Sequence, residues 1–167
     1  MNFLKTHIHH ITYTDLILCQ PSLKIKDIPR LREVILNANF ESKPGSTLCL
    51  LQLLGLNTPF FTKNKVGNLS LNLKKGEVVG CKLCLRKKTM IAFIENFLVE
   101  ILPNLKNSKT LKLNNNALHF HLKDVFSLED LNNHISYLYG QDNLDIVIKF
   151  NFINNLFLKN LRLITKN

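Results

Sequence analysis

The strongest chemical feature of the chain is a set of eight cations within a single glycine-punctuated segment. Lysine and arginine neutralise phosphates and release counterions, which gives nucleic-acid binding that weakens as salt rises. Glycine, found here at positions 67, 76 and 80, lets a backbone approach a sugar-phosphate chain closely. The pattern favours a nucleic-acid surface, although charge alone leaves a solvated charge run equally open. The cations are Lys63, Lys65, Lys74, Lys75, Lys82, Arg86, Lys87 and Lys88.

The stretch GEVVGCKLCLRKK, residues 76–88, indicates how some of these cations are presented. In an extended chain successive side chains face opposite sides. Lys82, Cys84 and Arg86 would then share one side of a strand, and the apolar residues would share the other. We therefore predict a strand whose apolar side rests on the helix that follows it and whose cationic side faces outward. The apolar residues are Val79, Cys81, Leu83 and Leu85.

Other residue types that do chemistry form no complete site in the sequence. Cys81 and Cys84 make a lone CxxC, whereas a zinc knuckle needs a second pair of ligands, so we expect the four cysteines to be free thiols. His119 and His121 alternate along one segment, and contact with RNA and exposure to water are both open for them. No nucleophile elbow or paired carboxylate stands out. We predict no enzyme activity, no metal and no cofactor.

The composition restricts the partners of the protein. The chain has 167 residues, of which 46% are hydrophobic, and a formal net charge of +10. A small domain this basic meets a polyanion, with nucleic acid first and an anionic membrane surface second. Uncharged apolar runs stay shorter than the roughly 18 residues of a membrane span, so we expect no membrane partner. The alternative is a basic adaptor or membrane-surface protein that uses a C-terminal amphipathic helix.

Hydrophobic periodicity gives the elements that position these residues. Residues 104–116 are polar and predict a loop, residues 67–77 fit a long hairpin or a basic loop, and residues 127–140 leave helix and loop open. Helices are predicted at 2–19, at 47–54 with Ser46 as N-cap and Gly55 as C-cap, at 88–102 ending before Pro103, and at 152–164. Strands are predicted at 30–38, 59–62, 77–86, 117–125 and 144–150.

This element order predicts an α+β fold, an antiparallel sheet with helices packed on one face. The other sheet face and a basic loop would be open to RNA. We expect a single domain over residues 1–167, with an N-terminal helix at 2–19 and the sheet and helices at 30–167. The open face would be polar or basic, with Arg30 or Arg32, Lys82, Arg86, His119, His121 and Lys123.

The segment GEVVGCKLCLRKKTMIAFIENFLVEILPNLK resembles the strand–helix core of the bacterial-type large-subunit ribosomal protein five family. Upstream, FTKNKVGNLSLNLKKG is similar to the family's Thr-Lys basic loop, and IPRLREVILNAN is similar to its Pro-Arg strand ending in Leu-Asn. LDIVIKF resembles the late strand. The motif residues of the core are Gly76, Gly80, Cys81, Lys82, Leu85, Arg86, Met90, Phe93 and Pro103.

The resemblance implies a structural protein of the large ribosomal subunit that lies at the central protuberance. It implies contacts with large-subunit rRNA, 5S rRNA, P-site tRNA, small-subunit protein thirteen and neighbouring large-subunit proteins. The bias towards Asn, Lys, Ile and Phe, with few arginines, is typical of an organelle-encoded copy, and a mitochondrial ribosome fits best. Lys65, Lys74 and Lys75 would lie on or beside the tRNA-facing loop. The residues expected to face rRNA are Arg32, Asn37, Thr62, Lys63, Lys82 and Arg86, with Arg30, Lys87 and Lys88 as further RNA-binding candidates.

Overall fold

The structure is a computed structural model that describes residues 3–20, 24, 28–40, 44–55, 57–67, 74–101, 112–114, 116–122 and 143–161. Its helices are α1 (Phe3–His7), α2 (Tyr13–Cys19), α3 (Pro44–Gly55), α4 (Lys87–Asn96) and α5 (Asn155–Asn160), with π-helical segments at Ile8–Thr12 and Phe97–Ile101. Its strands are β1 (Leu31–Asn39), β2 (Phe60–Lys63), β3 (Val78–Leu85), β4 (Lys112–Asn114), β5 (Ala117–Leu122) and β6 (Leu144–Phe150).

The six strands form one sheet in the order β2-β3-β1-β6-β5-β4. Strands β2 and β3 pair antiparallel, with Phe60 opposite Lys82 and Thr62 opposite Gly80. Strands β4 and β5 also pair antiparallel. An antiparallel sheet with packed helices confirms the predicted α+β class.

The chain divides into two compact units. Unit 1 comprises residues 1–34, 86–119 and 148–167, and unit 2 comprises residues 35–85 and 120–147.

The core of unit 2 includes the contact between β3 and α3. Leu83 and Leu85 are fully buried, and a Cβ built on Gly55 would overlap a methyl carbon of Leu83. The last turn of α3 therefore lies directly on the apolar side of β3, and Gly55 allows this close approach. The alternation predicted for β3 is confirmed, and in this unit the helix that covers it is the upstream α3.

Unit 1 is built around aromatic contacts between its helices and β6. The ring of Phe157 on α5 stacks on Tyr13 of α2 at 6.3 Å and meets Phe150 of β6 edge-on at 6.1 Å. The first helix is attached to α4 by a hydrogen bond, in which the amide of Leu4 donates to Oε1 of Glu95 over 2.7 Å. Phe157 is fully buried, so these contacts belong to a proper core.

The N-terminal helix differs from the prediction by the π-helical segment that joins α1 to α2. Thr12 donates its hydroxyl to the carbonyl of His7, and Thr14 donates to that of His10. Hydroxyl groups that bond back to the preceding turn compete with the regular helix ladder and bend helices. The two threonines are therefore a local reason for the wider turn.

Two further predictions on secondary structure are wrong, and some fall outside the described residues. Helix α3 begins at Pro44, so Ser46 is a buried residue inside the helix and not its N-cap. Strand β4 lies within the predicted loop 104–116, so the loop prediction is wrong there, since pairing with β5 overrides the polar composition. Residues 68–73 and 127–140 and Lys123 lie outside the described residues.

In the described part of the chain, helices remain too short or too polar to cross a membrane.

Candidate nucleic-acid interface

Strands β2 and β3 of unit 2 continue past the sheet as a short two-stranded extension. The amide of Asn64 donates to the carbonyl of Glu77 over 2.8 Å, and the amide of Gly76 donates to the carbonyl of Asn64 over 2.9 Å. Gly76 has φ +85°, a left-handed conformation that glycine adopts without strain. The extension thus depends on a glycine that the sequence places at this turn.

Four exposed lysines line this extension, and we call them the hairpin cations: Lys63, Lys65, Lys74 and Lys75. Glu77 lies beside them, since its Oε2 accepts the amide of Lys74 over 2.9 Å. The carboxylate lowers the local charge, but the extension keeps an excess of positive groups that could neutralise phosphates.

Lys82 lies on the sheet side of β3 that faces away from α3. Its neighbours Cys81 and Leu83 are buried, whereas Lys82 itself is half-buried. Lys82 forms no ion pair with any residue that the structure describes. It is therefore a cation held at a fixed place on a strand and available to an external anion.

Thr62 and Gly80 are opposite each other and lie next to the Phe60–Lys82 pair. A Cβ on Gly80 would lie 2.6 Å from the carbonyl oxygen of Ala38, which is shorter than any real contact of this kind. Gly80 is thus required because β1 and β3 come very close here. Half-buried Thr62 completes this part of the surface in unit 2.

Arg86, the arginine predicted on the same strand side as Lys82, is paired with an acid, and it belongs to unit 1. Arg86 Nη2 donates to Oε2 of Glu33 over 2.8 Å, and Lys149 Nζ donates to Oε1 of the same carboxylate over 3.0 Å. These hydrogen bonds, first from Arg86 and then from Lys149, hold the pKa of Glu33 below its ordinary value. We call Arg86, Glu33 and Lys149 the Glu33 cluster.

Arg86 nevertheless remains accessible, because its side chain is 70% exposed while that of Glu33 is 11% exposed. A guanidinium has five N–H donors, so one carboxylate does not exhaust it. The Glu33 cluster could therefore hold Arg86 in a fixed orientation towards a phosphate.

Lys87 and Lys88 are exposed at the start of α4 in unit 1. Lys87 has φ +53°, which is unfavourable for any residue with a Cβ. Thr89 donates its hydroxyl to the carbonyl of Arg86 over 2.9 Å and closes the first turn. The two lysines thus follow a sharp change of chain direction.

Arg30 and Arg32, two further predicted RNA-binding residues, lie in different surroundings within unit 1. Arg32 is exposed and shares a strand side with buried Val34. Arg30 lines a cavity of about 410 Å³ with Lys5, Tyr13 and apolar residues. Burial raises the pKa of Tyr13, and the nearby charge of Arg30 opposes this shift. Arg30 is therefore a cavity residue and not part of the Glu33 cluster.

The remaining predicted polar groups are partly covered. Asn37 in unit 2 and His119 in unit 1 are half-buried. His121 pairs with Asp145 in unit 2, with 2.5 Å between Nδ1 and Oδ1. An acid next to His121 makes this part of the sheet less basic than the sequence suggests.

Cys81, Cys84, Cys19 and Cys49 are free thiols in the structure. Burial raises the pKa of Cys81, which makes it a poor nucleophile. Within the described ranges, no group of three histidine, cysteine or acidic side chains could hold a metal ion.

Sequence reasoning missed Glu33 and two exposed aromatic residues. Phe60 is 66% exposed and Phe61 is 54% exposed, on an edge strand of the sheet. A lone carboxylate within the apolar run of β1 was the available signal for Glu33, since a buried acid needs a cationic partner. No signal in the sequence distinguishes Phe60 from a core phenylalanine.

Comparison with known proteins gives a consistent set of relatives. The chain is 30% identical to the large ribosomal subunit protein uL5 of Mycoplasma pneumoniae over 119 residues, which is 68% of this chain and 66% of the relative. It is 30% identical to uL5c of Cyanidium caldarium over 98 residues, 54% of each chain. It is 26% identical to uL5 of Chlorobium chlorochromatii over 93 residues, 52% of this chain and 48% of the relative.

The chain thus spans between about half and two thirds of the length of these curated relatives. No protein-family model matches it.

Proposed function

Because the chain belongs to the bacterial-type large-subunit ribosomal protein five family, whose members here carry the name uL5, we propose that it is a structural constituent of a large ribosomal subunit and binds large-subunit rRNA. Its work is docking and not catalysis, as expected for a ribosomal protein. Lysine and arginine on phosphates position the protein, and the shape of the folded RNA does most of the selecting.

The observation that carries this mechanism is the two-sided character of β3. Cys81, Leu83 and Leu85 are buried, whereas Lys82 lies on the opposite side without an ion-pair partner in the described residues. The hairpin cations extend the positive surface of unit 2 beyond the sheet. The buried neighbours of Lys82 fix the strand, so the cation is presented on the outer side of β3 where a phosphate can reach it.

Replacement of Lys82 by glutamate tests the docking surface without disturbing any ion pair that the structure describes. We expect Lys82→Glu to weaken association with large subunits roughly tenfold, since it removes one phosphate contact and adds repulsion. Co-sedimentation of the tagged chain with large subunits, followed by sequencing of crosslinked RNA, measures this. Lys159→Glu is the matched control, because Lys159 is an exposed lysine on α5.

If Lys82→Glu enters the subunit as well as Lys159→Glu does, β3 is not the docking surface. Arg86→Glu is a less suitable test, because it would place two carboxylates together in the Glu33 cluster and destabilise the fold.

We further propose that residues Arg30, Arg32, Asn37, Thr62, Lys87 and Lys88 contribute to RNA binding with Lys82, Arg86 and the hairpin cations. The exposure of Arg32, Lys87 and Lys88 supports this, while Arg30 would act from its cavity in unit 1. Protection of Lys87 and Lys88 from acetylation in the assembled subunit, with Lys159 as the unprotected reference, would test the contribution of these two lysines.

The finer partners belong to the same proposal. They are 5S rRNA at the central protuberance, P-site tRNA near the hairpin cations Lys65, Lys74 and Lys75, and small-subunit protein thirteen across the subunit interface. The support is the resemblance to the family and the exposed position of these lysines. Crosslinks from Lys74 or Lys75 to tRNA in translating ribosomes would support the tRNA contact, and their absence would remove it.

We propose a mitochondrial ribosome as the setting, on the basis of the Asn, Lys, Ile and Phe bias and the few arginines. Recovery of the chain with mitochondrial ribosomes in gradient fractions would support this location.

The alternative function, a membrane-surface protein using the C-terminal helix, is disfavoured by α5, whose Phe157 and Leu158 are fully buried in unit 1. Those two side chains are used inside the fold and are not available to a lipid surface.

A further inference from the structure

We propose that Phe60 and Lys82 form a binding site for one unpaired nucleotide of RNA, with the base stacked on the Phe60 ring and the phosphate on the Lys82 ammonium. This inference rests on the proposed function and adds a specific chemical contact to it. It concerns unit 2 only, and the residues that carry it lie on two paired strands.

The first observation is the exposure of the Phe60 side chain. At 66% it exceeds that of every other aromatic side chain in the described part of the chain. By contrast, Phe97 and Phe157 are completely buried. A bare phenyl ring loses the free energy that burial would give, so a surface position for it favours a partner that covers the ring.

The second observation is the register of the strands. Phe60 is directly opposite Lys82 in the antiparallel β2–β3 pair, so both side chains project from the same side of the sheet at close distance. That side is the one turned away from α3, because the neighbours of Lys82 are the buried residues of β3. An aromatic ring and a cation are therefore presented side by side towards the outside of unit 2.

The third observation is that the two exposed rings of β2 lie on opposite sides of the strand. Phe61 projects to the other side of the strand and meets Phe40 edge-on at 6.4 Å. The next pair along the Phe60 side is Thr62 with Gly80, which adds one small polar side chain. A single exposed ring beside a cation suits one planar base stacked on it.

The fourth observation is the charge around the site. The hairpin cations continue from Lys63, the residue that follows Thr62 on the same strand, and provide further phosphate contacts for a chain that passes Phe60. Aromatic stacking combined with a cationic track is the usual means of holding unpaired RNA.

The test compares the full-length chain with variants in their binding to single-stranded oligoadenylate, to an abasic oligomer with the same number of phosphates, and to an RNA duplex. We expect Phe60→Leu to bind oligoadenylate roughly tenfold more weakly, because the base loses its stacking partner. The slope of binding against salt should remain unchanged, since no charge is removed. Binding to the abasic oligomer should be equal for the wild type and Phe60→Leu.

Phe61→Leu is the matched control, because it removes the same ring from the other side of the same strand, and its affinity should change less than twofold. Lys82→Gln should reduce the salt slope by about 0.7. The chain has no tryptophan, so Phe60→Trp introduces a single indole whose fluorescence a stacked base should quench. Thermal unfolding by circular dichroism verifies that each variant is folded.

Equal losses in Phe60→Leu and Phe61→Leu, or an indole that stays unquenched at saturating oligoadenylate, would overturn the stacking site and leave rRNA docking intact. Failure of the wild-type chain to bind any of the three probes would instead contradict the proposed function itself. If Phe60→Leu binds RNA normally but loses a ribosomal protein on assembly, the ring is a protein contact and the inference is wrong.

Discussion

At the scale of single residues, the structure separates two cations that the sequence treats alike. Lys82 and Arg86 are four residues apart on one predicted strand side, yet Lys82 has no ion pair in the described residues and Arg86 is held by Glu33. Glu33 also accepts from Lys149, so one carboxylate organises two cations. The Glu33 cluster is therefore a positioning device as well as a source of stability.

Replacement of Glu33 by glutamine should lower the free energy of unfolding by about 1 kcal/mol at neutral pH, because the charge-assisted hydrogen bonds from Arg86 and Lys149 are lost while both cations stay in contact with water. The folded-state pKa of Glu33 is lowered from 4.5, so its stabilisation is complete above the unfolded-state pKa and disappears as pH falls through the folded-state value. Urea unfolding at pH 7, 5 and 3.5 should show the difference from wild type shrinking below about pH 4.5.

Glu77→Gln is a suitable comparison, since this exposed carboxylate accepts the amide of Lys74 and has no ion pair in the described ranges. We expect it to change stability by less than about 0.5 kcal/mol. A difference between Glu33→Gln and wild type that is the same at every pH would contradict the role of the ionised carboxylate.

At the scale of elements, the junction between β3 and α4 places three consecutive cations, Arg86, Lys87 and Lys88, at the start of a helix. Arg86 is extended, with φ −139° and ψ 159°, and Lys87 then adopts φ +53° before α4 continues. A left-handed lysine costs about 1 kcal/mol because its Cβ crowds the next carbonyl. The junction is therefore strained at a residue that also belongs to the proposed RNA-binding set.

Lys87→Gly should raise the free energy of unfolding by about 0.5 kcal/mol, since relief of strain slightly exceeds the added entropy of the unfolded chain. Lys88→Gly, one residue further into the first turn of α4, should lower it by about 0.5–1 kcal/mol. Both changes remove one lysine charge, so chemical denaturation of the pair isolates the backbone effect. Equal destabilisation by both would show that Lys87 is not strained.

The close approach of β1 to β3 gives a second expectation at this scale. Gly80→Ala should cost about 1–3 kcal/mol, because the new methyl group would overlap the carbonyl oxygen of Ala38 and the strands cannot separate locally. Gly45→Ala on α3 is the control, since a Cβ there meets no atom within 4 Å. Thermal unfolding should place Gly80→Ala well below wild type and Gly45→Ala at or above it.

At the scale of the whole molecule, the formal net charge is +10, but some of the cations are paired with acids inside the fold and others are exposed. Within unit 1, Arg86 and Lys149 share the Glu33 carboxylate. Within unit 2, the hairpin cations are exposed, with Glu77 as a neighbouring acid. The net charge therefore exceeds the number of positive charges that are available to RNA. The position of each lysine decides how much it contributes to RNA binding.

Two triple variants with the same change of net charge test this statement. Replacement of Lys63, Lys65 and Lys74 by glutamine should reduce the salt slope of binding to single-stranded RNA by about two, since each phosphate contact contributes about 0.7. Replacement of Lys5, Lys24 and Lys159, which are exposed elsewhere, should leave the slope nearly unchanged. If both triples reduce the slope equally, long-range charge and not the hairpin surface controls binding.

The sequence by itself determined the α+β class, most of the helices and strands, and the two sides of β3. These features depend on hydrophobic periodicity, which is local information, and Leu83 and Leu85 follow it faithfully. The motif around Gly80, Lys82 and Arg86 also sufficed to indicate the family, which the relatives confirm. The single-domain arrangement stays a prediction.

Only the tertiary structure decided which charges meet and which rings stay exposed. Glu33 is 53 residues from Arg86 and 116 residues from Lys149, so no local pattern could predict their hydrogen bonds. Phe60 resembles any apolar strand residue until its strand is placed at the sheet edge opposite Lys82. Periodicity fixes the side of an element on which a residue lies, whereas partners across the sheet are set by pairing between distant segments, which is why the candidate site emerged from the fold.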